Sequence, residues 1–459
     1  MPAWGPVASK GWSLRLRLCS DFLFTRRGVG IASHMLDIRL IREKPEFVRE
    51  RLATRGTELA EQVDKILEID SERRRLETEL QQLNADRNKL SKQIGVLRSK
   101  KEPSAEVEAT VRVIGEEIPR LSQAVAAADE SQRKLLLCIP NLPHAKATIG
   151  ADASANPVVR IWGEKPVFSY QPLDHVDLGA RLGLFDLERA AKISGSGFVC
   201  FTNLGARLQR GLIQFLLNLH TIEHGYVEIC PPHLVRRECM VGTGQLPKLE
   251  EDAYGLDEGQ MFLIPTAEVP LTNLHREETL SYRELPKYFV AHTPCFRREA
   301  GSAGRDTRGI IRIHQFDKVE LVKIAIPETS YDELEKLTAD AEKVLQMLGL
   351  HYRVIELCTG DLGFSMAKTY DLEVWAPGQG RYLEVSSCSN AEDFQARRMN
   401  LKFKDADGRN RFCHTLNGSG TALARLYVAL VETYQQSDGS VLIPQPLRDY
   451  VRVKEILPQ

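Results

Sequence analysis

The chain has 459 residues, 43% of them hydrophobic and 27% charged, which is enough for two or three domains and a large buried core. Its 61 basic and 62 acidic side chains nearly cancel, which excludes a general polycation and leaves any nucleic-acid contact to a local patch. No apolar run approaches the roughly 18 residues of a membrane span, and the nine scattered cysteines, without a CxxC pair, argue for a reducing compartment with neither a disulfide framework nor structural zinc.

Residues 1–34 stand apart from the rest. They carry Lys10, Arg15, Arg17, Arg26 and Arg27 against the single acid Asp21, a balance that suits either an organelle-targeting segment or a non-native leader upstream of the true start at Met35. From Ala60 the pattern turns to heptads. Ile69, Arg73, Leu76, Leu80, Leu83, Arg87, Leu90, Ile94 and Leu97 follow a 4-3-4-3 spacing, a coiled-coil seam interrupted by two arginines. The segment LRSKKEPSAE (97–106) turns the chain, and a second seam runs through Val107, Val111, Ile114, Ile118, Leu121, Val125 and Ala128. This predicts an antiparallel helical hairpin whose first helix is roughly 60 Å long. Such an arm projects from a globule. Pro119 inside the second seam predicts a kink.

Between Ala85 and Lys101 the arm carries Arg87, Lys89, Lys92, Arg98, Lys100 and Lys101 against one acid, Asp86. A charge run on a helix is usually a solvated face, but at the tip of a projecting arm it points to phosphate contacts. The proline-punctuated CIPNLPHAKATIG (138–150) closes the arm, giving domains 1–34, 35–145 and 146–459. In 204–235 a helix with Leu208, Ile213, Phe215, Leu216 and Leu219 on its apolar side leads to a strand and Pro231–Pro232.

The stretch 289–324 predicts two strands joined by a polar loop, AGSAGRDTRG (300–309). Alternation places Arg297 and Glu299 on one face. In the second strand Ile311, Ile313, Val319 and Leu321 form an apolar face, and Arg312, His314, Phe316, Lys318 and Glu320 share the other. That composition, beside a loop offering glycine amides and arginines, predicts the floor of a site for an aromatic, phosphorylated ligand. Further on, HTLNGSGTALARLYVALVETYQQ (414–436) predicts a strand, a tight turn at Gly418 and Gly420, and a helix aiming its amino terminus at the site.

FRRE followed by a loop and RIHQFDKVE resembles motif 2 of the class II aminoacyl-tRNA synthetases, in the seryl-tRNA synthetase form. The resemblance extends from MLDIRLIREKPEFVRERLATRG at Met35, through IPNLPH, a motif 1-like 204–235 and EVSS within 360–398, to about Val451. It implies an α+β fold: an antiparallel-sheet class II catalytic domain with an N-terminal antiparallel coiled-coil arm. It implies a cytoplasmic homodimer, built through motif 1, that activates L-serine with ATP and Mg²⁺. The seryl group then passes to tRNA(Ser), and by family analogy to tRNA(Sec), gripped by the arm.

The same resemblance carries residue roles. Thr266, Ala267 and Glu268 match the TAE triplet of the serine pocket, joined by Glu320 and Ser419. Arg297 meets the α-phosphate and the serine carboxylate, Glu299 the adenine amino group, Phe316 the ring face and Ile313 its edge through the backbone. Arg298, Val385 and Ser386 flank the nucleotide, Glu384 and Ser387 hold ATP and its magnesium, and Arg425 meets the γ-phosphate. Two rivals remain at this stage: a ligase that loads a carrier protein, which the full arm argues against, and a non-catalytic tRNA-binding homologue, which Arg297, Glu320 and Arg425 argue against.

Overall fold

The heptads of the amino-terminal third form two helices, α1 (Thr57–Ser99) and α2 (Ala105–Cys138). They belong to a computed structural model that describes residues 36–300 and 308–458; the basic segment 1–34, expected to be a leader, and most of the loop 300–309 lie outside the described residues. At 43 residues α1 is about 65 Å long. Every seam residue from Ile69 to Leu97 is half-buried, because a two-helix hairpin offers each seam only one partner.

Burial becomes complete only at the base. There Val63, Ile66, Leu136 and Leu137 pack with Ile41, Val48 and Leu52 of the preceding segment. Asp70 is buried beside them and accepts from Arg42 Nη2 and Gln132 Nε2, both at 3.0 Å. Burial alone would raise its carboxyl, but these donors outweigh it and hold the group below the usual range. Arg73, one of the two seam arginines, reaches across to Asp129 at 3.4 Å. Pro119 does not end the helix: α2 runs on from Ala105 to Cys138 with the proline inside it. The ring sits on the exposed side, and the i−4 residue is Gly115, around which there is open space.

The chain beyond the arm is built on an eight-stranded sheet. In chain order its strands are β1 (Val158–Trp162), β2 (Val227–Glu228), β3 (Lys287–Phe296), β4 (Gln315–Ala325), β5 (Tyr352–Glu356), β6 (Lys368–Ala376), β7 (Arg381–Asn390) and β8 (His414–Ala422). In space they run β1-β5-β6-β7-β8-β4-β3-β2, antiparallel throughout except for the short β2 beside β3. Three helices, α3 (Asn203–Asn218), α4 (Ser330–Met347) and α5 (Leu423–Thr433), bury their apolar sides in the main core against one face. On α3 the fully buried positions are Leu208, Leu212, Phe215 and Leu216, whereas Ile213 is only half-buried.

The strand pair at the centre differs from expectation at its ends. β3 stops at Phe296 and β4 starts at Gln315, so Arg297–Glu299 and Ile310–His314 are irregular backbone. β4 is also buried on both faces beyond Asp317. Val319 and Leu321 face the main core, while Val322 and Ile324 face a second cluster with Leu271, Leu280 and Phe289. The polar even face is therefore covered too, with Lys318 and Glu320 buried as an ion pair, while Lys323 on the odd face is buried against Glu333.

No tight turn occurs at Gly418 and Gly420: β8 passes straight through both and leads into α5 at Leu423. The glycines serve packing. A Cβ at Gly418 would meet Cys388 and Leu337 at 3.1 Å, and one at Gly420 would meet His220 Nε2 at 2.9 Å. Gly420 is also an extra residue in β8. Val319 pairs with Thr421 but Glu320 with Ser419, so the register slips by one at Gly420. Such a bulge re-aims the side chains beside it. A similar slip occurs at Val385 in β7, between the pairs Leu372–Ser386 and Glu373–Glu384. Among the described residues no helix is long and apolar enough to cross a membrane.

Candidate active site

Where β3, β4, β7 and β8 lie side by side, a cavity of about 510 Å³ opens above them. Eleven of the expected residues line it: Thr266, Glu268, Arg297, Glu299, Ile313, Phe316, Glu384, Val385, Ser387, Ser419 and Arg425. They come from five separate stretches of chain. The two register slips flank this cavity, one beside Ser419 and one at Val385.

Irregular backbone here is held by specific hydrogen bonds. The Arg297 amide donates to His314 O at 2.9 Å and the Arg298 amide to Asp252 O at 2.8 Å. Arg297 Nε donates to Pro265 O at 3.3 Å, and its guanidinium lies 5.3 Å from the centre of the Phe316 ring. A planar cation and an aromatic ring at this spacing make one wall that can take a phosphate or carboxylate edge-on and a flat base face-on. Glu299 adopts a positive φ of 50° and pairs with Arg312, another cavity residue. Backbone of that kind persists only where its surroundings impose it.

Opposite, Arg425 near the start of α5 donates from Nη1 to Glu384 O at 2.9 Å and from Nε to Ile311 O at 3.3 Å. Its guanidinium also lies 3.5 Å from the Glu384 carboxylate. This arginine and Arg297 put two fixed positive forks in one cavity, suited to a polyanion.

The enclosed end is acidic. Glu268 opens a short helix, Glu268–Thr272. Burial, and next the charge of Glu320, push its carboxyl up to about 7, while Gln395, Lys318 and Arg297 pull the other way. Glu320 is fully buried, ion-paired with Lys318 at 2.5 Å, and 3.5 Å from Asn417 Nδ2. Two carboxyls beside a threonine and a serine hydroxyl form a small polar pocket for a cationic group and a hydroxyl.

Four expected residues do not line the cavity. Ala267 is fully buried in the second apolar cluster. Arg298 is exposed and points elsewhere. Ser386 is buried, its Oγ donating to Ser419 O, on the face of β7 opposite to Ser387. Glu320 stands behind Lys318 and Asn417, which do line the wall. Sequence reasoning missed Gln245 and Asn417, and placed Lys318 on the polar face of the second strand without giving it a role; Asn417 alternates with Ser419 along β8, which is the available signal.

Glu384 and Ser387 share the β7 wall of the cavity. Asp371 sits opposite Ser387 on β6, and burial, then the nearby Glu384, raise its carboxyl well above the usual range. Among the described residues no three His, Cys, Asp or Glu side chains converge as a metal site, so a cation here would draw further oxygens from a bound polyphosphate. On the arm, Lys89, Lys92, Arg98, Lys100 and Lys101 are exposed and Arg87 is half-buried. Arg98 is partly neutralised by Glu108 at 2.9 Å.

Residues 35–143 match the family profile for the seryl-tRNA synthetase N-terminal domain, and residues 251–434 that for the tRNA synthetase class II core domain (G, H, P, S and T). The serine–tRNA ligase of Akkermansia muciniphila is 60% identical over 93% of this chain and 100% of its own length. That of Geobacillus kaustophilus is 52% identical over 92% and 100%. Among solved structures, seryl-tRNA synthetase from Pyrococcus horikoshii complexed with ATP superposes with a TM-score of 0.87 at 41% identity, covering 93% of this chain and 100% of that one. The cytoplasmic serine–tRNA ligase of Naegleria fowleri in complex with AMP gives 0.82 at 29% identity, over 93% and 99%.

Proposed function

The chain belongs to the seryl-tRNA synthetases, class II enzymes that use ATP to join serine to tRNA, and from that premise we propose how its residues divide the work. Arg297 holds the α-phosphate of ATP and the carboxylate of serine together, so that a carboxylate oxygen attacks phosphorus in line and pyrophosphate leaves. Both reactants are anions, so positioning and positive charge matter more than proton transfer. Phe316 stacks on the adenine, Glu299 and the Ile313 backbone meet its edge, and Arg425 takes the γ-phosphate end. The observation that carries this reading is the placement of Arg297, Phe316 and Arg425 around one cavity with the acidic pocket at its closed end.

Glu268 and Glu320 receive the serine ammonium while Thr266 and Ser419 meet its hydroxyl. A pocket that hydrogen-bonds a hydroxyl rejects the analogue lacking it by roughly 10⁴-fold or more. Glu384 and Ser387 supply hard oxygens for Mg²⁺ on the phosphates, where the cation would neutralise charge on the leaving pyrophosphate. The arm and its exposed lysines grip the tRNA, of the serine and also the selenocysteine kind. Residues 35–145 and 146–459 then act as the tRNA-binding and catalytic domains of a cytoplasmic homodimer.

Serine-dependent ATP–pyrophosphate exchange tests the central role. Arg297→Ala is expected to lower it at least about a hundredfold, the scale of one lost transition-state donor, with the thermal midpoint little changed. Near-normal exchange would remove Arg297 from the role.

A further inference from the structure

Behind the acidic pocket, Gln395 forms a closed chain of hydrogen bonds. It lies on the helix Phe394–Met399, is 1% exposed, and belongs to no wall of the cavity. Its Nε2 donates to Glu268 Oε1 at 2.7 Å and to Thr243 O at 3.1 Å, and its Oε1 accepts from Thr415 Oγ1 at 2.7 Å. Both amide hydrogens are thus used and the oxygen is occupied. Flipping the amide would set its oxygen against two acceptors, Glu268 Oε1 and Thr243 O, so its orientation is determined.

We propose that Gln395, oriented by Thr415, is the positioning residue that aims the Glu268 carboxylate at the ammonium of serine. The inference rests on the assignment of Glu268 to serine. Buried donors favour the ionised carboxylate and restrict its rotation. Lys318 and Arg297 favour the charge of this buried carboxyl beside Glu320 from a distance, whereas Gln395 is the side chain hydrogen-bonded to it that can fix its orientation before a cationic ligand arrives. Gln395 therefore acts chiefly on serine affinity, since its hydrogen-bond partners Glu268, Thr243 and Thr415 are not among the residues assigned to ATP. Thr415 stands one link further out, on β8 two residues before Asn417.

The test measures KM for serine and for ATP in pyrophosphate exchange, with the full chain. Gln395→Met keeps the volume and removes the donor; serine KM should rise about 10- to 100-fold, the range of one hydrogen bond to a charged group, with ATP KM within twofold. Thr415→Val should shift serine KM in the same direction by a smaller factor. In Glu268→Gln, adding Gln395→Met should change serine KM by less than threefold, because the group it positions no longer carries charge. Equal damage to both KM values, or full additivity with Glu268→Gln, would overturn the positioning role. If Glu268→Gln itself left serine KM unchanged, the assignment of Glu268 would fall first. A large Glu268→Gln effect beside a silent Gln395→Met would sink only the inference.

Discussion

The arm and the sheet reach stability by opposite routes. Along α1 and α2 each residue depends on neighbours three and four positions away and on one facing helix, and between the base and the tip nearly every seam residue stays half-buried. Within the sheet, β4 is buried almost throughout by strands and helices from distant stretches of chain. The arm can therefore be lengthened, charged or made to carry a residue such as Pro119 with local consequences. A change in β4 or β8 is transmitted to the cavity at once.

The largest expected effect separates the two regions outright. Deleting residues 80–122 and joining the stubs by a short glycine-serine turn leaves Asp70, Arg73, Asp129 and Gln132 in place at the base. Pyrophosphate exchange should persist within a fewfold while tRNA charging is lost. Charging that survived would mean that the grip on tRNA lies elsewhere.

Next comes the pH dependence of the pocket. Glu268, with its carboxyl pushed up to about 7, is charged above that pH and neutral below it. Serine KM should fall about tenfold per pH unit as pH rises towards 7 and level off above it, with Glu320, Lys318 and Arg297 facing the same group. Glu268→Gln should flatten the profile; a slope that persisted in that variant would assign the titration to another group.

A smaller effect is expected at the register slip. Gly420→Ala pushes a methyl to 2.9 Å from His220 Nε2 and 3.2 Å from the Val319 carbonyl. Thermal or denaturant unfolding should show a loss of about 1–3 kcal/mol, with a rise in serine KM through the displaced Ser419. An equivalent crowding change on the exposed side of the arm should cost almost nothing.

The smallest effect belongs to the arm tip. Lys100→Ala with Lys101→Ala should raise tRNA KM only a fewfold and leave exchange unchanged. The dependence of log K on log salt should become shallower by about two units, one per phosphate contact removed. An unchanged salt slope would place the contacts elsewhere on the arm.

Much of the chain was legible before any coordinates. The seams from Ile69 and from Val107 located both arm helices, because helical periodicity is a local signal. Motif residues such as Arg297, Phe316 and Arg425 were legible because they stand in short, ordered runs. Strand ends were less so. Arg297–Glu299 continues the alternation of β3 in sequence, but its amides are taken by His314 and Asp252, partners far along the chain. Gly418 and Gly420 looked like a turn because glycine permits one; only the crowding by Leu337, Cys388 and His220 reveals why glycine is needed in a strand.

By itself, then, the sequence determined the helical hairpin, the class of chemistry and most of the expected side chains that line the cavity, since periodicity and residue type are properties of short segments. The tertiary structure alone decided where β3 and β4 end, that Ser386 faces under the sheet while Ser387 faces the cavity, and that Gln395 stands behind Glu268. Those facts depend on strand register, and register is settled by pairing between segments that no local pattern connects.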